Sequence, residues 1–210
     1  PLHPVATWLD YKLLASFGRQ RAPILKVPHG VKPGQAIILV QAQYPNKRGQ
    51  TLLTRWMGIT VDADGRVAPD ILTLKETLVQ TGLLRNLEDG QHAADLANDG
   101  RVPDASLWQQ ALPEVIQTAK RHLQPIKRKV DEENQTRIQQ ELAKLAELKE
   151  KHQNQLELDL KGGLEQVRQS RRQRRDAEIQ DLFQSYQTWV RETLELDDTP
   201  QFTVVAALAG

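Results

Sequence analysis

The clearest structural signal in the chain is 35–61, QAIILVQAQYPNKRGQTLLTRWMGITV. Its first part, 35–44, contains the unbroken apolar run 37–40, which is typical of a buried strand. Its second part, 51–61, is rich in β-branched and aromatic residues, and a hairpin-turn signal, Asp-Gly, follows at 64–65. A loop with proline, asparagine and glycine separates the two parts. The sequence therefore predicts two adjacent strands, at 35–44 and 51–61.

Three shorter elements are predicted nearby, and a fourth at the end of the chain. Helical spacing of apolar residues predicts helices at 4–17 and 72–84, and a short apolar run predicts a strand at 24–27. The final apolar segment, FTVVAAL at 202–208, has the composition of a buried strand and follows all the helices. We expect it to join the sheet that 35–61 begins.

From about 104 onward the chain is rich in Gln, Glu, Lys, Arg and Leu, as long exposed helices are. Asp104 or Ser106 is expected to cap the first helix. An interior proline removes a helical hydrogen bond, so a bend or restart is expected at Pro113 and at Pro125.

A narrow apolar stripe begins at Ile126 and recurs at intervals of three and four residues, which predicts two helical arms, 126–161 and 164–196. The adjacent Gly162 and Gly163 lie between them. Two glycines inside a helix would cost about 2 kcal/mol relative to alanines, so we interpret them as a turn. Arms of nearly equal length joined by a turn predict an antiparallel helical hairpin.

Together these elements predict an α+β fold. It consists of a small sheet with flanking helices, a long antiparallel coiled-coil hairpin, and a last strand that returns to the sheet. The predicted domains follow the same division: 1–103 and 197–210 form the α+β body, and 104–196 form the helical region, with its turn near 162–163.

The composition excludes several classes of function. The 210 residues contain no cysteine, which removes disulfides, iron–sulfur ligation and thiol nucleophiles, and the formal net charge is only +1. No apolar run approaches the roughly 20 residues of a membrane span, and the first residues lack the layout of a signal peptide. We expect a soluble, cytoplasmic protein that does not contact a membrane. The start at Pro1 leaves both initiator removal and a cut from a longer polypeptide open.

The chain shows no motif for nucleotide or metal chemistry of its own. A phosphate-binding loop of the form G-x-x-x-x-G-K-[ST] is absent, and the five histidines do not form the close pairs that metal sites on helices use. One group of acidic residues is interpreted as turn and helix-start chemistry rather than as a catalytic pair: Asp62, Asp64, Asp70 and Glu76. No catalytic residue, metal ligand or cofactor is predicted in this segment.

The most strongly biased stretch is VRQSRRQRR at 167–175. Four of its arginines share one helical stripe, at i, i+3, i+4 and i+7: Arg168, Arg171, Arg172 and Arg175. Such a row suits phosphate groups, and binding of this kind depends on salt. The alternative is that an antiparallel arm sets ordinary acidic surface partners near the row. The candidates are Glu150, Glu157 and Asp159.

A second basic candidate is the loop between the two predicted strands. Lys47 and Arg48 lie at its tip, where a binding role and an ordinary solvated turn are both consistent with the sequence. A further basic group flanks Pro125: Lys120, Arg121, Lys127, Arg128 and Lys129. Several aromatic residues do not interleave with the basic runs, so we interpret them as packing residues rather than base-stacking platforms: Trp56, Trp108, Tyr186 and Trp189.

Four segments carry a resemblance to a known family: HPVATWLDYKLLASF at 3–17, the strand pair, the charged helical hairpin, and WVRETLELDDTPQFTVVAALAG at 189–210. In this layout the chain resembles the C-terminal accessory region of large bacterial Swi/Snf-type ATPases, the helicase-like superfamily that includes the RNA-polymerase-associated protein RapA. The resemblance implies a parent polypeptide whose motor domains use ATP and Mg to translocate on nucleic acid. The motor motifs are absent from this chain, so no catalytic residue is transferred to it.

Two functions are open. The first is a non-catalytic accessory module of an ATP-dependent translocase, with the motor domains of the same polypeptide, DNA or RNA, or a protein such as RNA polymerase as partners. Its candidate nucleic-acid-binding residues are Arg168, Arg171, Arg172, Arg175, Lys47 and Arg48. The alternative is a free-standing coiled-coil adaptor or structural protein that binds another helix by side-chain packing alone.

Overall fold

The computed structural model describes Trp8, Lys12 and residues 21–27, 29–84, 103–159 and 165–210, with the backbone alone at 156–159 and 165–168. In chain order, the strands and helices are β1 (Ile24–Lys26), β2 (Ala36–Pro45), β3 (Thr51–Val61), β4 (Val67–Thr73), α1 (Leu74–Gln80), α2 (Ser106–Asp159), α3 (Glu165–Leu194) and β5 (Gln201–Ala209). The strands predicted at 24–27, 35–44 and 51–61 are thus confirmed, with ends that shift by at most one residue.

The five strands of the described chain form one mixed sheet in the order β1-β5-β2-β3-β4. The last strand, β5, lies between β1, to which it is parallel, and β2, to which it is antiparallel. Strands β3 and β4 are antiparallel. The α+β class and the return of the final apolar segment to the sheet are therefore confirmed.

The chain separates into two compact units. The sheet unit comprises Pro1–Gln43, Thr54–Gln124 and Gln201–Gly210, and the helical unit comprises Tyr44–Leu53 and Pro125–Pro200. The predicted domain boundaries, 1–103 with 197–210 and 104–196, stay a prediction.

The core of the sheet unit contains side chains from β2, from β5 and from the residue after β1. Val27, Ile37, Ala206 and Leu208 form a buried cluster, and the partly buried Val31, Leu72 and Leu83 pack against it. The first five residues of β2, 36–40, are all buried. A strand covered on both faces reads as a continuous apolar run, and this is why the strand was recognisable in the sequence.

Helix α2 continues through Pro113 and Pro125, so the expected restart at each proline is wrong. An interior proline costs about 3 kcal/mol or more. In the sheet unit this cost is offset by a fully buried helix face, since burying one large aliphatic side chain contributes about 1.5–3 kcal/mol. The buried face consists of Trp108, Ala111, Val115, Ala119 and Leu123.

The helix predicted at 72–84 begins later than expected, because its first residues belong to β4, a strand that the sequence analysis missed. Thr73 pairs with Met57 of β3 and at the same time caps α1. Thr73 Oγ1 accepts a hydrogen bond from Glu76 N at 3.2 Å, and Glu76 Oε2 accepts one from Thr73 N at 2.7 Å. This capping box defines the helix start. The bond from the Thr73 backbone lowers the pKa of Glu76.

Two predicted features fall outside the described residues. The helix at 4–17 is described only at Trp8 and Lys12, and the turn at Gly162 and Gly163 is not described. At the start of α2, Asp104 Oδ1 accepts a hydrogen bond from Ser106 N at 3.0 Å, which confirms Asp104 as an acceptor for a free amide of this helix end.

In the helical unit, α2 and α3 share one narrow apolar cluster. Its buried members are Ile138, Leu145, Phe183 and Val190, and its partly buried members are Leu142, Ile179 and Leu194. Leu148 continues the three- and four-residue spacing from which the apolar stripe was predicted, but it is 49% exposed, so the stripe does not include it. Because this apolar stripe is narrow, most side chains of both helices are exposed to water.

Candidate functional site

The predicted arginine row lies in the first half of α3. Arg171, Arg172 and Arg175 are exposed, while Arg168 lies within the helix and its side chain is outside the described residues. Arg171 and Arg175 are one turn apart and occupy the same side of α3, whereas Arg172 is rotated from Arg171 by about 100°. The structure therefore brings Arg171 and Arg175 together.

Two neighbouring arginines have acidic partners one turn further along α3. Arg172 Nε lies 4.0 Å from Asp176 Oδ2, and Arg174 Nε lies 3.2 Å from Glu178 Oε1. Exposed pairs at i and i+4 contribute little to stability. They do, however, offset part of the positive charge on the two flanks of Arg171 and Arg175.

Arg171 and Arg175 differ from these two. Within the described residues, neither makes an ion pair or a hydrogen bond. Of the acids proposed as their partners, Glu150 also makes no ion pair in that part of the chain, and the side chains of Glu157 and Asp159 lie outside it. Arg171 and Arg175 are thus two exposed guanidinium groups on one helix face, and no carboxylate in the described part of the chain forms an ion pair with them.

The loop candidates, Lys47 and Arg48, already have acidic partners. Lys47 Nζ lies 2.7 Å from Glu195 Oε2, and Arg48 Nη1 lies 3.5 Å from Glu192 Oε2. The hydrogen bond from Lys47 to Glu195 raises the pKa of Lys47, and the Glu195 charge adds to the effect. These acids are about 25 Å or more along the helix axis from Arg175, so the structure does not join the loop to the arginine row.

Asn46 holds this loop in place from a buried position, with 2% of its surface exposed. Its Oδ1 accepts hydrogen bonds from Arg48 N at 3.0 Å and from Gln50 N at 2.8 Å. Its Nδ2 donates to Gln50 Oε1 at 3.1 Å and to Thr193 O at 2.8 Å. One side chain thus satisfies two loop amides and one of the carbonyls that the end of α3 leaves free.

The structure also reveals an exposed apolar face that the sequence analysis missed. Leu182, Tyr186 and Trp189 on α3 are 65%, 49% and 45% exposed. The rings of Tyr186 and Trp189 are 5.4 Å apart with a tilt of 38°. The interpretation of Tyr186 and Trp189 as packing residues is therefore wrong, whereas Trp108 is buried as expected.

The spacing along α3 contained a signal for this face. Positions 182, 186 and 189 share one side of a helix, and positions 183 and 190 share another, about 90° away. A helix that packs against one neighbour buries one such side. In the helical unit, Phe183 and Val190 occupy the buried side.

Two of the four acidic residues singled out in the sheet unit, Asp62 and Glu76, have structural roles. Asp62 Oδ1 accepts hydrogen bonds from Asp64 N at 2.9 Å and from Arg66 N at 2.8 Å, and Gly65 has the positive φ of 79° that the turn uses. Asp70 lies in β4 and not near a helix start, which corrects that part of the interpretation. Among the described residues, no group of three or more His, Asp or Glu side chains is arranged to hold a metal ion.

Lys127, from the basic group around Pro125, is part of a charge cluster in the helical unit. Its Nζ lies 2.8 Å from Asp131 Oδ2 and 3.1 Å from Asp198 Oδ1. Partial burial lowers the pKa of Lys127, but the hydrogen bonds and charges of the two carboxylates outweigh it and raise the pKa overall. Burial also raises the pKa of Tyr44, with a smaller opposing effect from Lys127.

None of the helices in the described part of the chain is both long and apolar enough to cross a membrane. Comparison of the whole chain with protein-family models, with curated proteins and with solved structures finds no match in any of the three.

Proposed function

We propose that this chain is the non-catalytic C-terminal accessory module of an ATP-dependent, helicase-like nucleic-acid translocase of the bacterial cytoplasm, and that it contacts nucleic acid through α3. The observation that carries the proposal is the pair Arg171 and Arg175. Both are exposed, lie on one side of α3 and make no ion pair within the described residues. Guanidinium groups in this state suit bidentate binding of phosphate oxygens.

In this proposal, α2 and α3 form an antiparallel coiled-coil hairpin. Lys127 of α2 contacts Asp198, just after the end of α3, at 3.1 Å. Lys149, 22 positions further along α2, donates to Gln180 in the middle of α3 at 2.5 Å. The residue further along α2 thus contacts the residue with the lower number on the α3 side, and this order supports antiparallel arms.

The resemblance to Swi/Snf-type ATPases supports the rest of the proposal. The motor domains of the same polypeptide, with ATP and Mg, supply the chemistry, and this segment binds DNA or RNA or a protein such as RNA polymerase. Each phosphate that an arginine neutralises releases counterions, so the contact weakens as salt rises. The module then affects how nucleic acid stimulates the motor rather than the hydrolysis step itself.

The test is the double substitution Arg171→Glu with Arg175→Glu in this chain, measured as binding to labelled DNA and RNA over a range of salt. We expect weaker binding and a slope of log K against log salt that is shallower by about two, since about one counterion is released per contact. The full-length protein with the same two substitutions should show reduced nucleic-acid-stimulated ATPase activity.

A matched control is Lys144→Glu with Lys151→Glu in α2. These lysines are also exposed, and they are already paired with Glu141 and Glu147. Their substitution changes the net charge by the same amount elsewhere. We expect the control to bind more tightly than the arginine variant. Equal binding by wild type and both double variants would contradict the proposal.

The alternative is a free-standing coiled-coil adaptor. The exposed Leu182, Tyr186 and Trp189 favour it, because apolar residues at i, i+4 and i+7 also suit packing against a partner helix. The reading frame upstream of Pro1 separates the two functions. A continuous frame that encodes a nucleotide-binding motor supports the translocase module, and a start codon at this position supports the adaptor.

A further inference from the structure

We propose that α3 binds single-stranded nucleic acid, with bases stacked on Tyr186 and Trp189 and phosphates held by Arg171 and Arg175. This inference rests on the proposed nucleic-acid contact and goes beyond it, because it names the form of nucleic acid and the groups that distinguish it. It depends on the exposed apolar face as well as on the arginines.

The two sets of residues lie on the same face of one helix. With 100° between successive residues, positions 171, 175, 182, 186 and 189 all fall within about 60° around the axis of α3. This face is therefore basic in its N-terminal half and aromatic in its C-terminal half. The distance along the axis from Arg171 to Trp189 is about 27 Å. A segment of several nucleotides spans such a length, in keeping with single-strand site sizes that begin at about four nucleotides.

The aromatic rings are placed for contact with a ligand. Tyr186 and Trp189 are about half exposed, and their mutual tilt of 38° keeps them from stacking flat on one another. An exposed ring on a convex helix accepts a base that is free to unstack. Bases inside a duplex are already stacked on their neighbours, so the rings favour a single strand.

The charges on this face favour nucleic acid over a protein helix. Its cations are arginines, whose planar guanidinium groups bind phosphate bidentately and also stack on bases. Glu178, about one turn beyond Arg175, is already paired with Arg174. Leu182 lies between the basic and aromatic halves and provides an apolar contact for sugar and base edges.

The experiment measures binding of this chain to a single-stranded oligo-dT of about 20 nucleotides and to a DNA duplex of the same length. The test variant is Tyr186→Ala with Trp189→Ala, and the charge variant is Arg171→Glu with Arg175→Glu. Stacking of one base is worth roughly tenfold in affinity, so loss of both rings should weaken single-strand binding about 100-fold and leave duplex binding nearly unchanged.

Two further variants control for folding. Tyr186→Phe with Trp189→Phe keeps both rings and should retain most single-strand affinity. Leu148→Ala removes an apolar side chain of similar exposure from α2 and should have no effect. Equal far-ultraviolet circular dichroism of all variants would show that α3 is intact.

The outcomes separate this inference from the function on which it rests. If the ring variant binds single strands as wild type does while the charge variant does not, the stacking proposal is wrong and the nucleic-acid contact stands. If neither the DNAs nor the labelled RNA binds the wild-type chain, both proposals fail. If only an acidic amphipathic peptide binds, and it requires the rings, the face is a helix-docking surface and the stacking proposal is again overturned.

Discussion

The sheet unit and the helical unit bury their side chains in different ways. In the sheet unit, five successive residues of β2 are buried, and Ile37, Ile59 and Val61 are at most 1% exposed. In the helical unit, the buried residues form a narrow stripe between α2 and α3. These residues are Ile138, Leu145, Phe183 and Val190, each with 3–8% of its surface exposed. The first arrangement uses its side chains to make a core. The second leaves Leu182, Tyr186 and Trp189 on one face of α3 exposed.

The largest expected effect distinguishes the two cores directly. Ile37→Ala should lower the free energy of unfolding by about 4 kcal/mol and Leu145→Ala by about 2 kcal/mol, both within the range for such truncations. The cost should be smaller at Leu145 because solvent and neighbouring side chains can fill part of the space in a narrow stripe. Urea denaturation followed by circular dichroism gives both values.

A control for this comparison is Leu52→Ala, since Leu52 is 38% exposed and its truncation should change stability by less than about 0.5 kcal/mol. If Leu145→Ala cost as much as Ile37→Ala, the helical unit would have a core as tight as that of the sheet unit.

A smaller effect is expected at Asn46, a buried polar residue of the helical unit. Asn46→Ala removes the acceptor for Arg48 N and Gln50 N and the donor to Thr193 O, and should cost about 2 kcal/mol because buried backbone groups lose their partners. Gln50→Ala, which removes only the side-chain bond to Asn46, is the matched control and should cost under about 1 kcal/mol. Thermal unfolding of both variants checks the ranking, and equal costs would refute it.

The smallest expected effect depends on alkaline pH. The pKa of Lys127 is raised in the folded protein. The stability that its charged form provides is therefore complete below the unfolded pKa of about 10.4, and it is lost as pH rises through the folded pKa. The pKa of Tyr44 is raised by burial, and the unfolded chain then gains by ionising from about pH 10 upward. Both effects lower the free energy of unfolding as pH rises.

Urea denaturation between pH 8 and about 11.5 measures this loss. Lys127→Met should be less stable at pH 8, by at most about 1 kcal/mol, and should lose less stability than wild type as pH rises. A pH dependence unchanged in Lys127→Met would show that the lysine and its two carboxylates contribute nothing to it.

Most of the fold was predictable because its signals are local. The apolar run of β2, the Asp-Gly turn after β3 and the final apolar segment each define a strand without reference to the rest of the chain. The strand β4 was missed because Thr73 serves both as a strand end and as a helix cap. The continuity of α2 at Pro113 was missed because burial of Val115, Ala119 and Leu123 offsets the local cost of that proline.

In the candidate site, too, the features set by local sequence were predictable and those set by long-range contacts were not. Helical spacing alone places Arg171 above Arg175 on one side of α3, since both positions lie within a single helix. Long-range contacts assign an acidic partner to Lys47 and to Arg48, and the packing of α2 on α3 buries Phe183 while Tyr186 and Trp189 stay exposed. Amino-acid order specifies which residues share a helix face. Which face is covered depends on the neighbour that packs there, because burial is a property of the folded chain and not of a segment.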